Sequence, residues 1–111
     1  MKLFGACIQT HNIEEMVAFY SKIFGYQPAV DGGVDFRFPD HQLIIYRLTD
    51  TAMPETKAAA LIYSVDDVDA VYSRLAVLNM TDKPPTDKPW GVRSFVITDP
   101  DGNTVSFMKA F

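Results

Sequence analysis

The sequence predicts an α+β fold in which one strand–helix–strand–strand unit is written twice. Three observations carry that expectation. Runs of alternating apolar and polar residues, the period-two signature of half-buried strands, recur in both halves of the 111 residues. Each half holds a single amphipathic stretch with the three- and four-residue spacing of a helix. Sliding one half over the other places Ile13 on Val68, Glu14 on Asp69 and Met16 on Val71, the mark of a duplicated supersecondary unit.

Residues 3–10 read as the first strand, and Asn12-x-x-Glu15 then has the form of a capping box. The helix it opens carries Ile13, Met16, Val17, Tyr20, Ile23 and Phe24 on one face, and Gly25 is placed to end it. Two strands follow, "VDFRF" (34–38) and "QLIIYRL" (42–48), joined by the turn "PDH", and "TDTAMPETK" (49–57) is a polar connector. In the second half "AALIYSV" (59–65) is a strand, and Asp66 or Asp67 caps a helix that runs to about Leu78. "RSFVIT" (93–98) and "TVSFMKA" (104–110) are the closing strands, joined by the turn Asp99-Pro100-Asp101-Gly102. An additional short strand in each half fits best around Gln27–Val30 and Thr81–Pro84. The expected organisation is one domain, 1–111, with modules at about 1–50 and 57–111.

Composition excludes several classes of function. A formal net charge of −4 argues against nucleic acid and anionic membrane, which need basic patches. Cys7 is the one cysteine, so no intrachain disulfide can form, and a cytoplasmic location is expected. No stretch reaches the ~20 apolar residues of a membrane span, and "MKLFGACIQTHN" does not read as a signal peptide.

Alternation assigns faces. Phe4, Ala6 and Ile8 oppose Leu3, Gly5, Cys7 and Gln9; Leu61, Tyr63 and Val65 oppose Ala60, Ile62 and Ser64; Val105 and Phe107 oppose Thr104, Ser106 and Met108. One set is bulky and suits a face beneath a helix. The other is small or mildly polar, and such a face either curls round a cavity or lets another sheet or a subunit approach closely.

The duplicated unit, the helix end "FYSKIFGY" (19–26) and the closing "RSFVITDPDGNTVSF" (93–107) together resemble the vicinal oxygen chelate superfamily. That group holds glyoxalase I, extradiol dioxygenases, fosfomycin-resistance enzymes and bleomycin-resistance proteins. The resemblance spans essentially the whole chain. It implies two βαβββ modules forming a curved mixed sheet around a cavity, with helices on the outer face and often a dimer. It also implies four metal-ligand positions, one on the first and one on the last strand of each module. Here they fall on Gly5, Tyr46, Ala60 and Ser106, where the enzymes have His, Gln or Glu. Loss of the whole set is most similar to the bleomycin-resistance type, so no metal and no cofactor are expected.

The expected function is therefore metal-independent binding of an aromatic or amphipathic small molecule by a homodimer. Phe36, Phe38, Tyr46 and Trp90 are the expected apolar lining, and Ser94, Thr104 and Ser106 the expected hydroxyls. If those rings instead fill the cavity, they are core. The prolines before Trp90 would hold its ring at the pocket mouth. An enzyme of the superfamily, a lyase or dioxygenase with a displaced metal site, is the alternative, and a ligand-free dimeric scaffold is another. His11 and His41 read as surface polar residues, Cys7 as a buried inert thiol. The acidic group Asp66, Asp67 and Asp69 is explained by capping and the helix dipole.

Overall fold

A computed structural model describes residues 1–111 and divides into two compact modules, Met1–Lys57 and Ala58–Phe111. The connector thus belongs to the first. That module runs β1 (Ala6–Thr10), α1 (Ile13–Phe24), β2 (Ala29–Asp31), β3 (Asp35–Phe38), one 3-10 turn (Pro39–His41) and β4 (Leu43–Arg47). The second runs β5 (Ala60–Ser64), α2 (Val68–Val77), β6 (Thr86–Asp87), β7 (Val92–Thr98) and β8 (Thr104–Ala110). This is the expected α+β architecture, with βαβββ order in each module. The two four-stranded sheets are ordered β1-β4-β3-β2 and β5-β8-β7-β6. In each, the helical crossover makes the first strand parallel to the last, and every other pairing is antiparallel.

In the first module, Ile13, Met16, Tyr20 and Ile23 are buried on α1 together with Ile8 of β1 and Leu43 and Ile45 of β4. Gly25 ends the helix in the left-handed region at φ 82°, its N–H bonded to the Ser21 carbonyl at 2.8 Å. The reciprocal capping box does not form. The hydroxyl of Thr10 takes the Asn12 N–H at 2.9 Å, and the Asn12 side chain donates instead to the Glu15 carboxylate at 3.1 Å. β1 begins at Ala6, later than expected, leaving Leu3 and Phe4 exposed.

The connector straps the outer edge of β1. Thr56 exchanges bonds with Gln9, N–H to carbonyl at 3.0 Å and hydroxyl from N–H at 2.9 Å, while the Glu55 carboxylate accepts the His11 N–H at 2.8 Å. That last bond holds the Glu55 pKa below the usual carboxylate range. A strand edge that would otherwise offer unpaired groups to other chains is closed.

In the second module, Val68 and Leu75 of α2 are buried with Phe95, Ile97, Val105 and Phe107 of the sheet. Asp67 caps the helix, its carboxylate accepting the Ala70 N–H at 3.0 Å. β6 lies beyond the expected Thr81–Pro84, because Pro84 and Pro85 have no N–H to give a ladder and Thr86 is the first residue that has. The Asp99–Gly102 turn closes through Gly102 N–H to Asp99 carbonyl at 3.0 Å, with Gly102 at φ 91°. Asp99 and Asn103 are buried and mutually bonded, and the Asn103 side-chain oxygen accepts the Ala59 N–H at 2.8 Å. The β7–β8 turn is thereby tied to the start of β5.

Candidate functional site

Each helix covers one face of its own sheet and leaves the other open, and register decides which side chains stand there. In the first module β4 sets Tyr46 opposite Gln9 on β1 and Asp35 on β3, and Ile44 opposite Cys7 and Arg37. This open face is partly charged. Arg37 reaches Asp35 at 3.3 Å and Asp31 at 3.7 Å, and so stitches β2 to β3.

The second module differs. Its registers are Ala60↔Thr104↔Thr98, Ile62↔Ser106↔Val96 and Ser64↔Met108↔Ser94 across β5, β8 and β7. Those nine side chains carry no charge. Hydroxyls alternate with apolar groups, and Ile62 and Val96 remain 68% and 50% exposed. An apolar surface of this kind, threaded with hydroxyl donors and acceptors, is the composition of a small-molecule wall. Ser94, Thr104 and Ser106 are brought together here as the sequence suggested. Ile62, Val96 and Met108 join them. Alternation through "RSFVIT" and "AALIYSV" already held that signal, but the expected lining was chosen for aromatic rings.

Within the first module the expected aromatic residues do not share one face. Tyr46 stands on the open face of the first sheet. Phe36 and Phe38 pair with Ile45 and Leu43, so they lie on the helix side, a correction to their expected direction. A strand in antiparallel pairing puts directly opposed residues on the same face, so Phe36 and Tyr46 cannot share one. Phe38 is fully buried, edge-on to Phe24 at 5.1 Å and to Tyr26 at 5.6 Å. Trp90 occupies the tip of the β6–β7 hairpin and is 73% exposed.

Two further expectations change. Cys7 is exposed rather than buried, though partial desolvation, and secondarily the charge of Asp35, push its thiol pKa up and disfavour the reactive thiolate. His41 is no plain surface residue: it stacks on Phe24 at 3.9 Å, and its Nδ1 shares a 3.1 Å hydrogen bond with the Tyr26 hydroxyl. Burial lowers the pKa of His41 and raises that of Tyr26. Of the acidic group, Asp67 caps as expected, while Asp69 binds Arg93 at 2.9 Å.

The four superfamily metal positions can be tested for donors. Ala60 and Gly5 have none, and Tyr46 and Ser106 bring only neutral hydroxyls, a poor match for a divalent ion. A Cβ placed on Gly5 would meet the Gln42 carbonyl oxygen at 3.0 Å, so that backbone resists a ligating side chain. No three His, Cys, Asp or Glu side chains group so that they could hold a metal ion. No helix is long and apolar enough to cross a membrane.

Comparison with known proteins agrees with the fold. A family model described as the Glyoxalase/Bleomycin resistance protein/Dioxygenase superfamily matches residues 3–107. Among solved structures, a glyoxalase/bleomycin resistance protein/dioxygenase from Nocardioides is similar at TM-score 0.79 and 21% identity, over 100% of this chain and 84% of that one. TnmS3, an antibiotic binding protein from Streptomyces, is similar at TM-score 0.76 and 21% identity, over 100% and 97%. A lactoylglutathione lyase from Agrobacterium tumefaciens is similar at TM-score 0.74 and 19% identity, over 97% and 92%. No curated protein sequence matches the chain.

Proposed function

Because the chain belongs to the glyoxalase/bleomycin resistance protein/dioxygenase superfamily, we propose that it binds an aromatic or amphipathic small molecule without a metal, against the open face of the β5–β8 sheet. The carrying observation is the uncharged face in which Ile62, Val96 and Met108 alternate with Ser64, Ser94, Thr98, Thr104 and Ser106. The apolar groups supply area at ~25 cal/mol per Å² of surface removed from water. The hydroxyls orient the ligand through its polar edge. A face without charge selects against ionic ligands, because nothing there offsets their desolvation.

Metal independence rests on the donor chemistry of Gly5, Tyr46, Ala60 and Ser106. Binding rather than turnover is the reading this set supports, since none of the four positions carries the His, Gln or Glu with which the superfamily's enzymes hold their metal. TnmS3, an antibiotic binding protein of the same fold, makes this a familiar use of such a scaffold; the analogy is one of fold alone. A homodimer is part of the proposal. β5 is an edge strand with no strap like that on β1, and the exposed Ile62 and Val96 need covering. Sedimentation giving a monomer at about 10 μM would remove that part.

Native mass spectrometry of the purified protein, coupled to metal analysis, tests the core of the reading. A retained organic molecule without stoichiometric metal supports it. A stoichiometric divalent ion that is lost on changing Tyr46 and Ser106 overturns it in favour of an enzyme. An empty protein that also ignores a panel of planar aromatic compounds leaves only a scaffold.

A further inference from the structure

The helix side of the first module carries a cleft that the binding face above does not use. It has a volume of about 340 Å³ and lies between the start of α1 and the sheet, with Ile13, Val17, Ala18 and Phe36 as its apolar walls and Glu14 and Arg47 as its charged ones. Arg47 stands on the helix-facing side of β4, paired with the buried Thr10, an unusual place for a guanidinium. Two contacts fix it there. Its Nε donates to the Gly33 carbonyl at 3.0 Å, and its guanidinium carbon lies 5.7 Å from the centre of the Phe36 ring. Those two contacts leave the Nη1 and Nη2 donors unspent. Glu14, in the same cleft, forms no ion pair with it.

The second module shows what an ordinary structural cation does in such a setting. The cleft beside the start of α2, about 280 Å³, is lined by Asp66, Asp69, Arg93 and Lys109. Arg93 spends its guanidinium on Asp69 at 2.9 Å and Asp87 at 3.0 Å, and Lys109 donates to the Asp66 carbonyl at 2.8 Å. The charge of Arg93 is thus neutralised within the fold by two carboxylates. Arg47 is held in orientation but not neutralised.

We propose that the Arg47 cleft binds a small apolar monocarboxylate, an aromatic ring or short acyl body carrying one carboxyl group. Arg47 offers the planar pair of donors that a carboxylate accepts in parallel. The body lies against Ile13, Val17 and the face of Phe36. Glu14 at the rim repels dianions, which sets monocarboxylates apart from phosphate esters. The cleft is at the small end of ligand pockets and suits a single ring with a short tail.

The test is a titration of the full protein with 3-phenylpropanoate, followed by the backbone amide signals in two-dimensional NMR. Saturable shifts are expected at Ile13–Ala18, Phe36 and Arg47. The uncharged analogue 3-phenylpropanamide should bind about tenfold more weakly, the usual worth of a charge-assisted hydrogen bond. Arg47→Gln should weaken the acid by a similar factor and leave the amide unaffected, and Arg47→Lys should recover part of the loss. The comparison of acid with amide needs no variant, so it stands even if Arg47→Gln fails to fold. Equal binding of acid and amide, no saturation by about 10 mM, or shifts confined to β5, β7 and β8 would each overturn the proposal. The last outcome would assign the ligand to the other face and leave the proposed function intact.

Discussion

The two modules repeat one order of elements, yet each places its rings and its polar ties differently. In the first, Phe24, Tyr26, Phe38 and His41 pack at one end of α1, with Phe38 fully buried, and the Glu55–Thr56 strap closes the edge of β1. In the second, Phe107 stacks on Phe95 at 5.1 Å beneath Tyr72 of α2, and Asp99 and Asn103 knot the β7–β8 turn to the start of β5. Their open faces diverge further. The first module shows a charged face with Asp31, Asp35 and Arg37, while the second shows an uncharged one. A duplicated scaffold needs only one face of each sheet for its core. The other face is free to vary, and here that freedom separates a charged surface from a binding wall.

Phe38 is where the first module is most vulnerable. Phe38→Ala removes a buried ring between Phe24 and Tyr26, and should cost ~3–5 kcal/mol in urea unfolding. Asn103→Ala should cost less, ~1–3 kcal/mol, because it removes the side-chain oxygen that accepts the part-buried Ala59 N–H and opens a small gap at the β7–β8 turn. If Asn103→Ala proved the more damaging, the polar tie at the β7–β8 turn would outweigh the buried ring of the first module.

A smaller effect is a pH dependence that belongs to the first module. Burial lowers the His41 pKa in the folded protein, so the unfolded chain takes up the proton first as pH falls. That contribution to stability is complete above the unfolded value of about 6.5 and declines below it, down to the folded pKa. His41→Phe, which keeps the stack on Phe24, should flatten the stability profile below about pH 6.5. A profile unchanged by the substitution would show that another group sets it. Smallest of all is Arg93→Gln. Its bonds to Asp69 and Asp87 raise the Arg93 pKa and lower that of Asp69, but they lie on the surface and salt screens them. Its unfolding midpoint should stay close to that of the parent protein.

Much of this was legible in the sequence. The periodicity of "IEEMVAFYSKIF" with Gly25 behind it marked α1 to within a residue, and Asp66 or Asp67 marked the start of α2, where the structure uses Asp67. Face assignment within a strand was also sound where one strand was read alone, as for Thr104, Ser106 and Met108. It failed for Phe36 and Phe38, because face depends on register against β4, and nothing in "VDFRF" states that register. The cap at Asn12 failed for a related reason. Thr10, two residues earlier, competes for the N–H that the box would use. His41 could not be read at all from its own neighbours, since its partners Phe24 and Tyr26 reach it through the turn of the chain. Arg47 carried a faint signal, a guanidinium at an inward position of an apolar strand.

The central claim is that the uncharged face of β5, β7 and β8 binds a ligand without metal. The most direct measurement is an amide NMR map of a planar, uncharged aromatic hit, recorded on protein treated with a chelator. Saturable shifts centred on Ile62, Val96, Ser106 and Met108 are expected, and they should persist without metal. Val96→Glu should weaken them at least about tenfold, because a carboxylate is placed where the ligand must displace water, while Arg47→Gln leaves them in place. Binding that appears only when a divalent ion is restored, or shifts that bypass those four residues, would contradict it.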